Sequence, residues 1–259
     1  MIQSFPTPEA LADAVARHVG DCAKEAIAAG GRFTIALSGG STPEAAYRRL
    51  ATRDSRLTTE AWQRTHVVCG DERCVPPNDP RSNYRMAKEA LLDRVPIPAH
   101  QIHRIRGEDD PEKAAADYER ELRALLGSEG SLDLVLLGMG EDGHTASLFP
   151  GQAAVHETAR WVVAVPSPDA TMWRVTLTPA VLNAARNVTF VVSGAGKAQR
   201  LEQVLQGPFT PDILPAQSIR PTQGQLTWMV DEAAAGKTTA HHGDTENTEV
   251  ARTGKSGIG

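Results

Sequence analysis

The chain has 259 residues, 41% of them hydrophobic and 23% charged, enough for the core of one ordinary α/β domain or two small ones. A formal net charge of −5 argues against general affinity for nucleic acid or membrane, so an anionic ligand has to be held by a local basic pocket. Cys22, Cys69 and Cys74 are too few and too irregularly spaced for a disulfide framework, which points to a reduced, cytoplasmic setting.

The opening stretch MIQSFPTPEALADAVARHVG carries Glu9 and Asp13 through its apolar positions and reads as an amphipathic helix, not a signal peptide. No apolar run reaches membrane-spanning length. Short β-rich runs then recur at RFTIALS (32–38), HVVCGDE (66–72), LDLVLLG (132–138), WVVAVP (161–166), RVTLT (174–178) and NVTFVVSG (187–194). Helix-patterned stretches are predicted at 43–52, 83–94, 111–126, 179–185 and 197–205. FTIAL and LVLL are continuous apolar runs, as strands covered on both faces should be. Alternation of this kind predicts a mostly parallel sheet with helices on both faces and ligands at the carboxyl ends of its strands. One domain over 1–235 is expected. From 236 to 259 the chain lacks aromatics and periodicity and reads as a disordered polar tail. The GKT in it lacks the upstream glycine of a phosphate loop, and the pair His241–His242 reads as solvated.

The first chemically informative stretch is LSGGSTP. A buried strand ends at Ser38, Gly39 and Gly40 allow close backbone approach, and Ser41 or Thr42 can cap a helix whose first position takes Pro43. Free N–H groups, two hydroxyls and the positive helix end make an anion seat, although Glu44 counts slightly against one. The plain alternative is a capped strand–helix turn. Such a seat needs cations, and Arg73, Arg174 and Lys197 each adjoin a predicted strand, with Lys197 the best placed by its GAG approach. Taken singly, each is more often a surface charge. Asp71 is balanced between a functional and a structural reading, and Glu72 is expected to pair with an arginine. Asn83 begins a helix that Ser82 can cap, with Tyr84, Met86, Ala87, Leu91 and Val95 facing the core.

The stretch LVLLGMGEDGHTASLFPG satisfies G-x-G-x-x-G through Gly138, Gly140 and Gly143. A dinucleotide fingerprint must open a long helix, and here Pro150 and Gly151 end the segment too soon. A nucleotide phosphate loop fails as well, because His144 stands where its lysine belongs. The reading that survives is a glycine-rich strand end that projects a carboxylate, Asp142, and an imidazole, His144, from the expected ligand edge. Ser147 is not in a nucleophile elbow and is read as part of the loop. Cys69 reads as inert packing and Cys74 lacks a visible activating partner. His66, His103 and His156 show no metal-ligand spacing, so no metal site is expected.

Together LSGGSTP (37–43), GDERCVP (70–76), SNYRMAKEALL (82–92), LGMGEDGHTASLFPG (137–151), RVTLTP (174–179) and SGAGKA (193–198) resemble the 6-phosphogluconolactonase family, a relative of the glucosamine-6-phosphate deaminases. The resemblance runs in family order across nearly all of residues 1 to 232. It implies a modified Rossmann-like fold, no cofactor, and hydrolysis of 6-phospho-D-glucono-1,5-lactone in the oxidative pentose phosphate pathway. The deaminases continue after the histidine with an FNEP-like stretch carrying a glutamate; this chain has TASLFP there, which weakens deamination. Loop chemistry and resemblance agree on His144 as general base, with Asp142 orienting a nearby group or substrate hydroxyls. The candidates for holding substrate and phosphate are Ser38, Gly39, Gly40, Ser41, Thr42, Asp71, Arg73, Asn83, Arg174 and Lys197. A phosphosugar lactone is the expected partner, without nucleic acid or membrane, for a monomer or small homo-oligomer. The rival readings are an amino-sugar phosphate deaminase and a sugar-phosphate sensor without catalysis.

Overall fold

The computed structural model describes residues 1–52, 57–128 and 130–236. In chain order the elements are β1 (Ile2–Phe5), α1 (Pro8–Gly30), β2 (Phe33–Leu37), α2 (Ser41–Leu50), α3 (Thr59–Trp62), β3 (Thr65–Cys69), β4 (Asp71–Arg73), α4 (Asn83–Ala90) and β5 (Ile102–His103). Then come α5 (Pro111–Leu126), β6 (Leu134–Leu137), β7 (Val162–Pro166), β8 (Trp173–Leu177), α6 (Pro179–Leu182), β9 (Asn187–Val192), α7 (Ala198–Gln206) and β10 (Gln225–Asp231). The expected tail, with its GKT and His241–His242, lies outside the described residues.

Seven strands form a wholly parallel sheet in the order β1-β10-β9-β6-β2-β3-β5. Side chains alternate along it: Phe33, Ile35 and Leu37 of β2 point to one apolar layer and Ala36 to the other. Helices α1, α2 and α4 cover the first face. On the other face α5 and α7 share the cover with a second, three-stranded antiparallel sheet, β4-β8-β7. In β9 and β10 the registered pair Phe190 and Trp228 stacks at 3.9 Å within this layer.

Local chemistry explains most helix starts. Thr7, Ser82 and Asp110 each accept an amide hydrogen from the first turn of α1, α4 and α5, and Pro8 and Pro111 come directly after two of these caps. Several expectations need correction. The first residues are not helical: Ile2–Phe5 joins the parallel sheet beside β10, and the helix begins at Pro8. The run 66–72 is two strands, because Gly70 is where the chain leaves the main sheet for the small one. The runs 161–166 and 174–178 pair with each other antiparallel, since a short connection cannot supply a parallel crossover. Strands β5 and β10 were not expected. Among the described residues no helix is long and apolar enough to cross a membrane.

Candidate active site

A cleft of about 230 Å³ opens at the carboxyl ends of β2, β6 and β9, roofed by the small sheet. Of the twelve residues expected to carry function, eleven line it; Asp142 stands behind His144.

The turn after β2 forms one wall. Gly40, not Ser41 or Thr42, holds the cap position of α2, at φ 105°, and no side chain caps the helix. The expectation of a hydroxyl cap is therefore wrong: Ser41 is already the first helical residue, which leaves its hydroxyl and that of Thr42 beside the cleft with the first-turn amides. Glu44, which counts slightly against an anion, bonds Arg48 at 2.6 Å, and that cation offsets part of its charge. Gly39 is required for packing: a Cβ there would lie 2.1 Å from Asn83 Oδ1.

Arg73 and Arg174 face each other in register across β4 and β8. Among the described residues neither has a carboxylate ion pair; Arg73 donates one guanidinium N–H to the Arg81 carbonyl, and Arg174 lies over the Phe149 ring at 5.6 Å. Burial, and then the neighbouring Arg73 charge, push the Arg174 pKa down. Three buried donors, Ser38 Oγ, Arg73 Nε and Arg174 Nε, have no partner among the described residues. Buried polar groups are ordinarily satisfied. Three such donors around one cleft are chemically suited to receive an anion.

Asp71 is buried in the same wall, but its oxygens are engaged. Ser147 Oγ donates to Oδ2 at 2.7 Å, and Asn83 Nδ2 donates to Oδ1 at 3.1 Å. The Asn83 amide group also reaches the Asp71 carbonyl at 3.1 Å. Among the described residues Glu72 has no arginine side-chain partner. It accepts the amides of Asn83 (2.7 Å), Tyr84 (2.8 Å) and Arg73 (2.7 Å) and the Ser82 hydroxyl (2.9 Å), and so serves as an acidic plug at the start of α4. Burial nonetheless raises its pKa. Ser82 caps α4 as expected, Ala87 and Leu91 are buried, and Tyr84, Met86 and Val95 pack against the same layer.

The loop after β6 forms the opposite wall. His144 Nδ1 lies 2.6 Å from Asp142 Oδ1, which also accepts the His144 amide at 3.1 Å. The His144 bond holds the Asp142 pKa down at about 2, so this carboxylate is ionised across the working range. The imidazole rests against Phe149, with ring centroids 5.0 Å apart. Gly140 permits the pair, since a Cβ there would be 2.2 Å from His144 Nδ1 and 2.7 Å from Asp142 Oδ1. Ala146, at φ 48°, holds a left-handed conformation beside the cleft, an uncommon state for a residue with a Cβ.

The segment after β9 brings in Lys197, whose pKa is lowered by burial and raised in part by Glu141 and Asp231. Among the described residues it has no ion pair. Asp231, at the end of β10, fixes this segment by accepting from the Gly194 amide at 3.1 Å and from the Ser193 hydroxyl. Neither Asp231 nor Ser147 was singled out from the sequence as functional; an acid ending the run WMVD was the only available sign of the first. Among the described residues no group of three or more His, Cys, Asp or Glu side chains is arranged to hold a metal ion. His66 and His103 contact each other at 3.1 Å, and His156 contacts Asp212 at 2.6 Å. Burial pushes the Cys69 and Cys74 thiols up, to about 12 and about 11.

Residues 6–228 match the model of a family described as glucosamine-6-phosphate isomerases/6-phosphogluconolactonase. A 6-phosphogluconolactonase of Nostoc sp. is 45% identical over 213 residues, 80% of this chain and 85% of its own length. A protein of Oryza sativa named probable 6-phosphogluconolactonase 3, chloroplastic, is 39% identical over 243 residues, 89% of this chain and 73% of its own length. The solved structure of 6-phosphogluconolactonase from Trypanosoma brucei superposes with a TM-score of 0.81 at 32% identity, covering 91% of this chain and 97% of that one.

Proposed function

Since the chain belongs to the glucosamine-6-phosphate isomerase/6-phosphogluconolactonase family, we propose that it hydrolyses 6-phospho-D-glucono-1,5-lactone to 6-phospho-D-gluconate, with His144 as general base. The observation that carries this reading is a carboxylate-held imidazole facing a cleft lined by three buried donors without a partner among the described residues.

A lactone is an activated ester, so the enzyme has to deliver water to C1 and hold the ring in place. With Nδ1 directed at Asp142, the His144 Nε2 lone pair is free to take a proton from water. The hydroxide equivalent adds to C1, the tetrahedral oxyanion collapses, the C1–O5 bond breaks, and the imidazolium returns its proton to O5. The Ser38–Thr42 turn, Arg73, Arg174 and Lys197 hold the 6-phosphate, so that binding energy remote from C1 orients C1. Asn83 and Asp71 shape this wall from behind through their mutual bond. The reaction takes place in a cytoplasmic setting, consistent with three unpaired cysteines.

The test is a pH-stat assay on freshly prepared lactone, with spontaneous hydrolysis subtracted. Turnover by the purified chain, together with no ammonia from glucosamine 6-phosphate, is the expected result. Tight binding of 6-phosphogluconate without turnover would instead make the protein a sensor.

A further inference from the structure

Two buried tyrosines outside the cleft act alike on neighbouring strand ends. Strands β2 and β3 pair in parallel up to Leu37 and Cys69, and the Gly70 amide closes the ladder on the Leu37 carbonyl at 2.8 Å. Beyond that point Ser38 has no strand partner among the described residues. Its amide donates to Tyr47 Oη at 2.9 Å, and the same hydroxyl donates back to the Ser38 carbonyl at 2.9 Å. In β3 the pairing with β5 ends at Val68 and His103. The next residue, Cys69, donates its amide to Tyr118 Oη at 2.7 Å. That hydroxyl shares its hydrogen between the Cys69 carbonyl at 3.1 Å and the His103 carbonyl at 3.2 Å.

A phenolic hydroxyl gives one hydrogen and accepts through its lone pairs, so a single tyrosine can satisfy both backbone groups of a residue that the sheet no longer serves. Both rings are at most 2% exposed, and burial keeps both hydroxyls protonated by raising their pKa. They come from opposite sides: Tyr47 on α2 belongs to one apolar layer and Tyr118 on α5 to the other. Just downstream of the two clasped residues lie the Gly39–Thr42 turn and, past Gly70, strand β4 (Asp71–Arg73), which supply the amide and guanidinium donors of the cleft.

We propose that Tyr47 and Tyr118 are positioning residues for substrate, a pair of hydroxyl clasps that hold the Gly39–Thr42 turn and strand β4 at a fixed separation. The inference rests on the lactonase reading for the identity of the ligand. Neither hydroxyl touches substrate. Without a clasp, a buried amide and carbonyl lose their partners, the turn samples other conformations, and binding has to restore the competent one.

The experiment uses the full chain with Tyr47→Phe, Tyr118→Phe and both together. It measures kcat and KM on the lactone, affinity for 6-phosphogluconate by calorimetry, and melting temperature. Each single change is expected to raise KM and weaken 6-phosphogluconate binding about tenfold, with kcat within about threefold, and the pair roughly a hundredfold. Folded variants that melt earlier yet keep wild-type KM and product affinity would overturn the proposal, because the hydroxyls would then be structural only. Should a phenylalanine variant fail to fold, amide hydrogen exchange of the unaltered protein decides. Ser38 and Cys69 amides exchanging far more slowly than that of Gly40 support the clasps; equal rates overturn them. An unaltered protein that neither binds 6-phosphogluconate nor turns over lactone defeats the functional reading, while exchange still judges the clasps.

Discussion

Strands β2 and β6 lie side by side, both wholly buried, and both run into glycine-rich turns at the same edge. Their continuations differ. After β2, a helix starts within four residues and brings its first-turn amides to the cleft. After β6, the chain folds back on itself instead: the Gly140 amide bonds the His144 carbonyl at 2.9 Å, and the Leu148 amide bonds the Thr145 carbonyl at 2.9 Å. With its backbone bonded internally, the second turn presents side chains, Asp142 and His144. On the proposed reading, similar strand ends serve as an anion seat or as a mount for a base, according to whether a helix comes next.

The contrast requires changes in the β6 loop to act on kcat and changes on the basic side to act on KM. The largest effect is expected for His144→Ala, which should lower kcat roughly 10²–10⁴-fold; retained turnover above the spontaneous rate would remove the base assignment. Gly140→Ala comes next. Its methyl would lie 2.2 Å from Nδ1 of His144, so the imidazole has to move by about 1 Å, which costs about 10²-fold in kcat; a variant altered in KM alone would break the comparison. Lys197→Ala should raise KM roughly ten- to a hundredfold with kcat little changed, the worth of one charge-assisted bond.

The smallest effect concerns pH. Burial lowers the Lys197 pKa, so its ammonium is lost at a lower pH than that of an ordinary lysine. Affinity for 6-phosphogluconate, monitored by calorimetry, should fall on the alkaline side at a lower pH than an ordinary lysine would give. Lys197→Arg should flatten that limb, because arginine stays charged there. An unchanged limb in the arginine variant would assign the alkaline loss to another group.

The local parts of the site were legible because each is contiguous in the chain. LSGGSTP contains a strand end, two glycines and a helix start, and GEDGH contains the acid and the imidazole two residues apart. The tail of the β3 run was misread for a physical reason: Gly70 permits the chain to change sheets, and β-propensity does not reveal which sheet a strand joins. The hydroxyl cap expected at Ser41 or Thr42 was likewise missed, because cap preference ranks residue types and the glycine conformation at Gly40 overrode it.

By itself the sequence determined which side chains were available and which short segments could present them, since caps, glycine turns and apolar runs act over a few residues. Tertiary structure alone decided what those segments face. The Asp71–Ser147 bond joins residues 76 apart, and the registered arginines come from strands at distant points in the chain. Such contacts depend on strand pairing and on which face each element covers, which no local pattern encodes.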